Sequence, residues 1–233
     1  MPTEGEIIAK NLVEVRANIE AVCRKVGRSP ADVTLVAVTK TVSSDVARAL
    51  VAAGAVDLGE NRVQELENKA EALRDLPVRW HMIGHLQRNK VRKVLPIVQI
   101  IHSVDSLRLA QEIHEQAARL GLKARVLIEM NVSGEASKFG LRPEELAPLL
   151  KEIAPMGNIV VEGLMTMPPI AADPELSRPY FRKLRDLRDA HGLKHLSMGM
   201  SQDYAVAGEE GATFVRVGTA LFRGLESLSS SLS

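Results

Sequence analysis

Thr34-Leu35-Val36-Ala37-Val38-Thr39-Lys40 is a short apolar run that closes on a primary amine. Its length and β-branched content read as a buried strand. A lysine in the last place puts an amine at the mouth of a sheet or barrel. Two readings of that amine compete. It snorkels at a strand end, as edge lysines do, or, desolvated or set beside other cations, it has a lowered pKa and attacks carbonyls.

Comparable apolar runs recur at 56–58, 79–83, 97–102, 124–132, 159–166, 195–198 and 213–217, and helical signals separate them. Ahead of the first run, Ile7, Ile8, Leu12, Val15, Ile19, Val22 and Val26 repeat at helical spacing up to Gly27, which predicts an N-terminal helix over about 4–26. Ser43-Ser44-Asp45 opens a helix that Gly54 closes, and Asp105 or Ser106 opens one that ends at Gly121. Arg142-Pro143-Glu144-Glu145 starts another, with proline in the first turn and acids at the positive end of the dipole. Leu176, Tyr180, Leu184 and Leu187 mark a further helix that stops at Gly192. Strands alternating with helices in this way predict a single α/β domain over 1–226, a (β/α)8 TIM barrel with one extra N-terminal helix. A doubly wound open sheet shares the alternation but usually has fewer strands, and no GxGxxG follows the first one. The serine-rich end, 227–233, reads as disordered.

Composition removes several function classes. The 233 residues carry a formal net charge of +1 and only 3% aromatics, which gives neither an electrostatic footprint nor stacking platforms for nucleic acid. No apolar window approaches the length of a membrane span, and the acidic start Met1-Pro2-Thr3-Glu4 lacks a signal peptide's apolar core. Cys23 is the single cysteine and sits in a helical stripe, so it reads as a small core residue. The expectation is a cytoplasmic protein.

In a barrel, the C-terminal ends of the strands converge, and phosphate commonly sits near the loops after strands 7 and 8. Ser201, after strand 7, reads as the N-cap of a short helix, either merely capping it or offering a phosphate its hydroxyl and the helix amides. After strand 8, Gly218 allows close backbone approach and Thr219 adds a hydroxyl, or the pair simply turns the chain. Barrel closure sets strand 1 beside strand 8, so a phosphate held there brings its attached ring towards Lys40. An aldehyde on that ring forms a Schiff base with the amine, and this combination points to pyridoxal 5′-phosphate (PLP). Arg216 on strand 8 then faces the pyridine nitrogen, where a guanidinium accepts no proton and leaves the ring a weak electron sink. Asn61, in Gly59-Glu60-Asn61-Arg62 after strand 2, either caps a helix or lends polar groups to the mouth.

Other candidates carry less. His81 and His85 have H-x3-H spacing that puts both on one face of a strand, with no third metal ligand. Arg88-Asn89-Lys90-Val91-Arg92-Lys93 reads as a solvated helical face. Lys138, after the polar loop Asn131-Val132-Ser133-Gly134-Glu135, is a second amine near the mouth.

These stretches, together with Trp80-His81-Met82-Ile83-Gly84-His85-Leu86-Gln87-Arg88-Asn89-Lys90, Gly163-Leu164-Met165-Thr166 and Ser197-Met198-Gly199-Met200-Ser201, resemble the pyridoxal-phosphate homeostasis proteins of the YggS/PROSC type. The resemblance runs from the first helix to about residue 224. It implies a barrel like the N-terminal domain of alanine racemase (fold type III), an internal aldimine at Lys40, and a phosphate held by Ser201 and Gly218-Thr219. It further implies a role in vitamin B6 homeostasis, buffering or delivering the cofactor to apo PLP-dependent enzymes without established turnover. Two departures stand out. Gln202-Asp203 replaces a pair that is more often two acids, and Arg223 separates Phe222 from the glycine that usually follows it.

The rival function is a PLP-dependent amino-acid racemase or another low-activity enzyme on the same barrel. A racemase needs a second base, typically a tyrosine supplied with a separate β domain across a dimer. The expectation here is no such domain and a monomer. Only Tyr180 and Tyr204 are present, and Tyr180 lies in an apolar stripe. Decarboxylases of the fold place an acid at the ring nitrogen, where this chain offers Arg216. Both omissions favour a carrier over an enzyme.

Overall fold

The computed structural model of the protein describes residues 2–135 and 138–225, so the serine-rich end lies outside the described residues. Eight parallel strands close into a barrel in sequence order: β1 (Thr34–Val38), β2 (Asp57–Glu60), β3 (Arg79–Met82), β4 (Val98–Val104), β5 (Ala124–Glu129), β6 (Ile159–Met165), β7 (His195–Ser197) and β8 (Phe214–Val217). The predicted (β/α)8 TIM barrel is therefore what forms. Closure pairs β1 with β8, with Val36 opposite Arg216 and Ala37 opposite Val217.

The extra helix, α1 (Glu4–Lys25), begins at a capping box in which Thr3 and Glu6 satisfy each other's backbone amides, and the chain leaves it through Gly27 at φ 70°. Ile8, Leu12, Val15, Ile19 and Cys23 form its buried stripe, each of the larger aliphatics worth roughly 1.5–3 kcal/mol. Asn11 adds specificity, its side-chain amide donating to the carbonyls of Leu221 (3.1 Å) and Arg223 (2.9 Å). The far end of the described chain is thereby pinned to α1. The remaining helices are α2 (Ser44–Ala52), α3 (Val63–Ala72), α4 (Val91–Val94), α5 (Leu107–Arg119), α6 (Leu146–Ile153), α7 (Arg178–Ala190) and α8 (Tyr204–Glu209). Ser43 caps α2 and Ser106 caps α5, each accepting an amide three residues on.

The inside of the barrel is separate from the shell between strands and helices. Val36, Ile100, Leu127, Met165 and Phe214 make a small inner apolar layer. Around it His81, His102, Ser197, Arg216 and Glu129 are also buried. A polar barrel interior of this kind survives only if its members satisfy one another.

Some sequence expectations shift. β5 stops at Glu129 rather than 132: past it the Met130 amide still reaches the Met165 carbonyl of β6, but the chain turns to pair with Leu141 through an isolated bridge. The helix after β7 starts at Tyr204 with Asp203 at its N-cap, so Ser201 does not cap it. Asn61 is no cap either, since Arg62 holds that position at α3. His81 and His85 do not share a face: β3 ends at Met82, leaving His81 inside the barrel and His85 stacked on Phe139 near the surface. The basic run at 88–93 is solvent-facing apart from buried Val91 and half-buried Lys90, as its pattern suggests.

Candidate functional site

Beyond the C-terminal ends of the strands lies a cavity of about 400 Å³, and Lys40, Asn61, Ser201, Arg216, Gly218 and Thr219 all line it. Six residues spread over 180 positions of sequence meet because β1, β2, β7 and β8 all deliver their ends to one mouth. Val38 and Ile83 give the cavity apolar walls, and the segment around Met167, Ile170 and Ala171, after β6, covers one side.

Lys40 stands just past β1 on a clamped backbone. Thr39 before it is fully buried; its hydroxyl donates to Glu60 Oε1 (2.6 Å), and Lys69 Nζ donates both to the Thr39 carbonyl (2.6 Å) and to Glu60 Oε1 (2.7 Å). The Lys69–Glu60 pair is itself buried, and Glu60 Oε2 has no hydrogen-bond partner among the described residues. A buried ion pair is weak evidence for stability but a strong geometric constraint, and here it fixes the base of the lysine. The Lys40 amine has no ion-pair or hydrogen-bond partner among the described residues and faces the cavity.

At the opposite side, Ser201 Oγ accepts the amides of Gly218 (3.1 Å) and Ala220 (3.4 Å). It therefore ties the β7 loop to the β8 loop, and its own proton remains to donate into the cavity. Gly199 makes this loop possible: φ is 91°, and a Cβ there would fall 2.5 Å from that of Ala207. Asp203 braces it from below, one oxygen accepting the Met200 amide (2.7 Å) and the other the Ser177 hydroxyl (2.8 Å). Asp203 is thus a buried loop brace.

Arg216 forms the floor. It is 3% exposed, donates to Ser197 Oγ and to the Thr166 carbonyl (2.9 Å), and burial pulls its pKa down to about 10. It stays charged at neutral pH, with N–H groups left over for the cavity. Ser197 continues inward to His102 Nδ1 (2.8 Å), His102 Nε2 to His81 Nδ1 (3.0 Å), and His81 Nε2 to Asp57 Oδ1 (3.0 Å). Glu129, also inside, has its carboxyl pushed up to about 7, first by burial and then by Asp105.

Lys138 comes to the lip: its amine donates to the carbonyl of Met167 (3.2 Å) and pairs with Glu135 (2.9 Å). Sequence reasoning did not pick out Glu129 or His102, and it named Ser197 and Asp203 only within motifs, without a role. A signal existed for two of them, since Glu129 and His102 each stand two residues past an apolar residue of the inner layer, on the same face of a strand.

The chain matches the family model for the alanine racemase N-terminal domain over residues 11–226. A pyridoxal phosphate homeostasis protein of Aquifex aeolicus is 47% identical over 219 residues, spanning 91% of this chain and 96% of the relative. The chain belongs to the pyridoxal phosphate homeostasis protein family. Another member of that family, from Pseudomonas aeruginosa, is 44% identical over 217 residues, covering 92% and 94% of the two chains. Among solved structures, PipY of Synechococcus elongatus with PLP bound superposes with a TM-score of 0.80 at 34% identity, covering 92% of this chain and 99% of PipY. An alanine racemase of Clostridium difficile shares the fold at 22% identity and a TM-score of 0.69, and this chain spans only 55% of it.

Proposed function

We propose that this protein binds PLP and serves intracellular PLP homeostasis, holding the cofactor on Lys40 as a Schiff base and releasing it to apo-enzymes. The observation that carries this reading is the cavity that sets a lysine amine, unpaired among the described residues, against the hydroxyls of two neighbouring loops. The donor set fits the cofactor. The Ser201 and Thr219 hydroxyls would hold the phosphate, Gly218 would leave room for its approach, and Arg216 and Asn61, on the same lining, would face the ring. When bound, PLP supplies an aldehyde that condenses with a primary amine and expels water, a bond that an incoming amine exchanges reversibly. Arg216 cannot give up its proton to the ring and keeps it a poor electron sink.

The carrier reading is favoured over a racemase by the tyrosines. Neither lines the cavity: Tyr180 packs against the shell of the barrel, and the Tyr204 hydroxyl accepts from Asn18 (3.0 Å) at the surface. Lys138, at the lip, serves in this reading as a second, transient docking amine during release. Purified protein should show the visible absorption of a lysine-bound PLP, and Lys40→Ala should lose it with the fold intact by circular dichroism. A Lys40→Ala protein that keeps the band sinks the assignment. Turnover of any amino acid by the loaded protein would replace the carrier with an enzyme. Undiminished transfer to an apo-enzyme by Lys138→Ala would remove Lys138 from the release step.

A further inference from the structure

The polar chain that crosses the barrel interior has a direction, and the chemistry of its ends sets it. Arg216 at the top has only donors, and it spends one on Ser197 Oγ. At the bottom Asp57 is ionised: against the upward pull of burial, hydrogen bonds from Arg79 and His81 hold its carboxyl at about 2. It has only acceptors. The Ser197 hydroxyl accepts from Arg216, so its single proton points to His102 Nδ1, 2.8 Å away. His102 then carries its proton on Nε2 and donates to His81 Nδ1, and His81 carries its own on Nε2 and donates to Asp57. Every link is satisfied with both imidazoles neutral. Burial favours the same state at His102, lowering its pKa well below the usual imidazole value. Phe214 packs edge-on against both rings and offers their nitrogens no rival partner.

We propose that Ser197, His102, His81 and Asp57 are positioning residues that hold Arg216 through a one-directional hydrogen-bonded chain, fixing the guanidinium that faces the cofactor's ring. The inference rests on the PLP reading only for the identity of the ligand that Arg216 meets. The chain anchors a charged side chain of β8 to the far end of β2, through β7, β4 and β3, so the guanidinium is held from across the barrel. The alternative polarity requires a doubly protonated His81 that donates both ways, a His102 protonated on Nδ1, and a Ser197 proton with no acceptor in the chain.

The test needs no variant to begin with. Long-range proton–nitrogen correlation spectra of the unloaded, nitrogen-15-labelled protein should show His81 and His102 each with a protonated Nε2 and a bare Nδ1 at neutral pH. Imidazolium signals from His81, or a protonated Nδ1 at His102, would overturn the chain. PLP affinity, read by fluorescence, then tests positioning. His102→Gln keeps an acceptor and a donor at nearly the imidazole spacing and should bind within about two-fold of wild type, whereas Ser197→Ala and His102→Phe, which cut the chain, should bind roughly ten-fold more weakly. Equal affinities in the Gln variant and the two cut variants would overturn the positioning role, and Ser197→Ala carries the comparison alone if His102→Phe does not fold. A protein with the expected spectrum that takes up no PLP sinks the cofactor reading and leaves the chain standing.

Discussion

Replacing Glu129 by glutamine removes a buried acid whose titration the barrel has displaced. In the folded chain its carboxyl is pushed from 4.5 up to about 7, by burial first and by Asp105 next, with Arg216 pulling the other way. The unfolded chain gives up this proton near 4.5 and the native chain near 7, so the native state binds more protons throughout the interval. Stability from this group is therefore fully present below the lower value and lost as pH rises through the upper one. At about 1.4 kcal/mol per pH unit, the loss across the window comes to about 3 kcal/mol. Glu129→Gln has the same size and no titration. Measured by urea denaturation of the unloaded proteins, its stability minus that of wild type should climb by about 3 kcal/mol between pH 4.5 and 8. Any constant cost of burying an amide cancels in that slope. A difference that stays flat with pH would refute the reasoning, as would a Glu129 carboxyl seen by carbon NMR to titrate near 4.5. Asp105→Asn, by removing the second cause, should move the midpoint down.

Other predictions concern the frame of the site. Lys69→Met leaves Glu60 buried and uncompensated and should cost about 3–5 kcal/mol, while adding Glu60→Gln should recover most of it; equal stabilities of the single and double variants in urea would contradict the clamp under Lys40. A methyl group at Gly84 would fall 2.3 Å from the Asn61 carbonyl oxygen, a backbone atom that has to move. Gly84→Ala should therefore lose about 1–3 kcal/mol and weaken PLP binding, and unchanged affinity by fluorescence titration would separate Asn61 from the cofactor. Ser201→Ala removes the acceptor shared by the Gly218 and Ala220 amides. It should slow refolding little but raise the PLP dissociation constant by roughly ten-fold, and an unaltered constant would count against a phosphate at that loop.

The architecture was legible because each strand announces itself locally. An apolar run with turn signals on both sides is a property of a few consecutive residues, and eight of them alternating with helical patterns leave few ways to fold. Lys40, Gly218 and Thr219 were legible for the same reason: they stand at strand ends, and closure of a barrel sends all C-terminal ends to one mouth. Ser201 was located but misread. Its neighbours in sequence suggest a helix cap, whereas its hydroxyl reaches to the β8 loop, a partner 17 residues away that no local pattern names.

What sequence alone determined here is the order of the elements, the barrel class and the identity of the groups at its rim, because strand and turn preferences act over short range. What only the tertiary structure decided is which buried groups meet. His81 takes His102 rather than His85 as its neighbour, Glu129 titrates late, and Thr39 is gripped by Lys69. Those outcomes depend on the stagger between strands and on desolvation inside a closed barrel, and both arise only when distant segments come together.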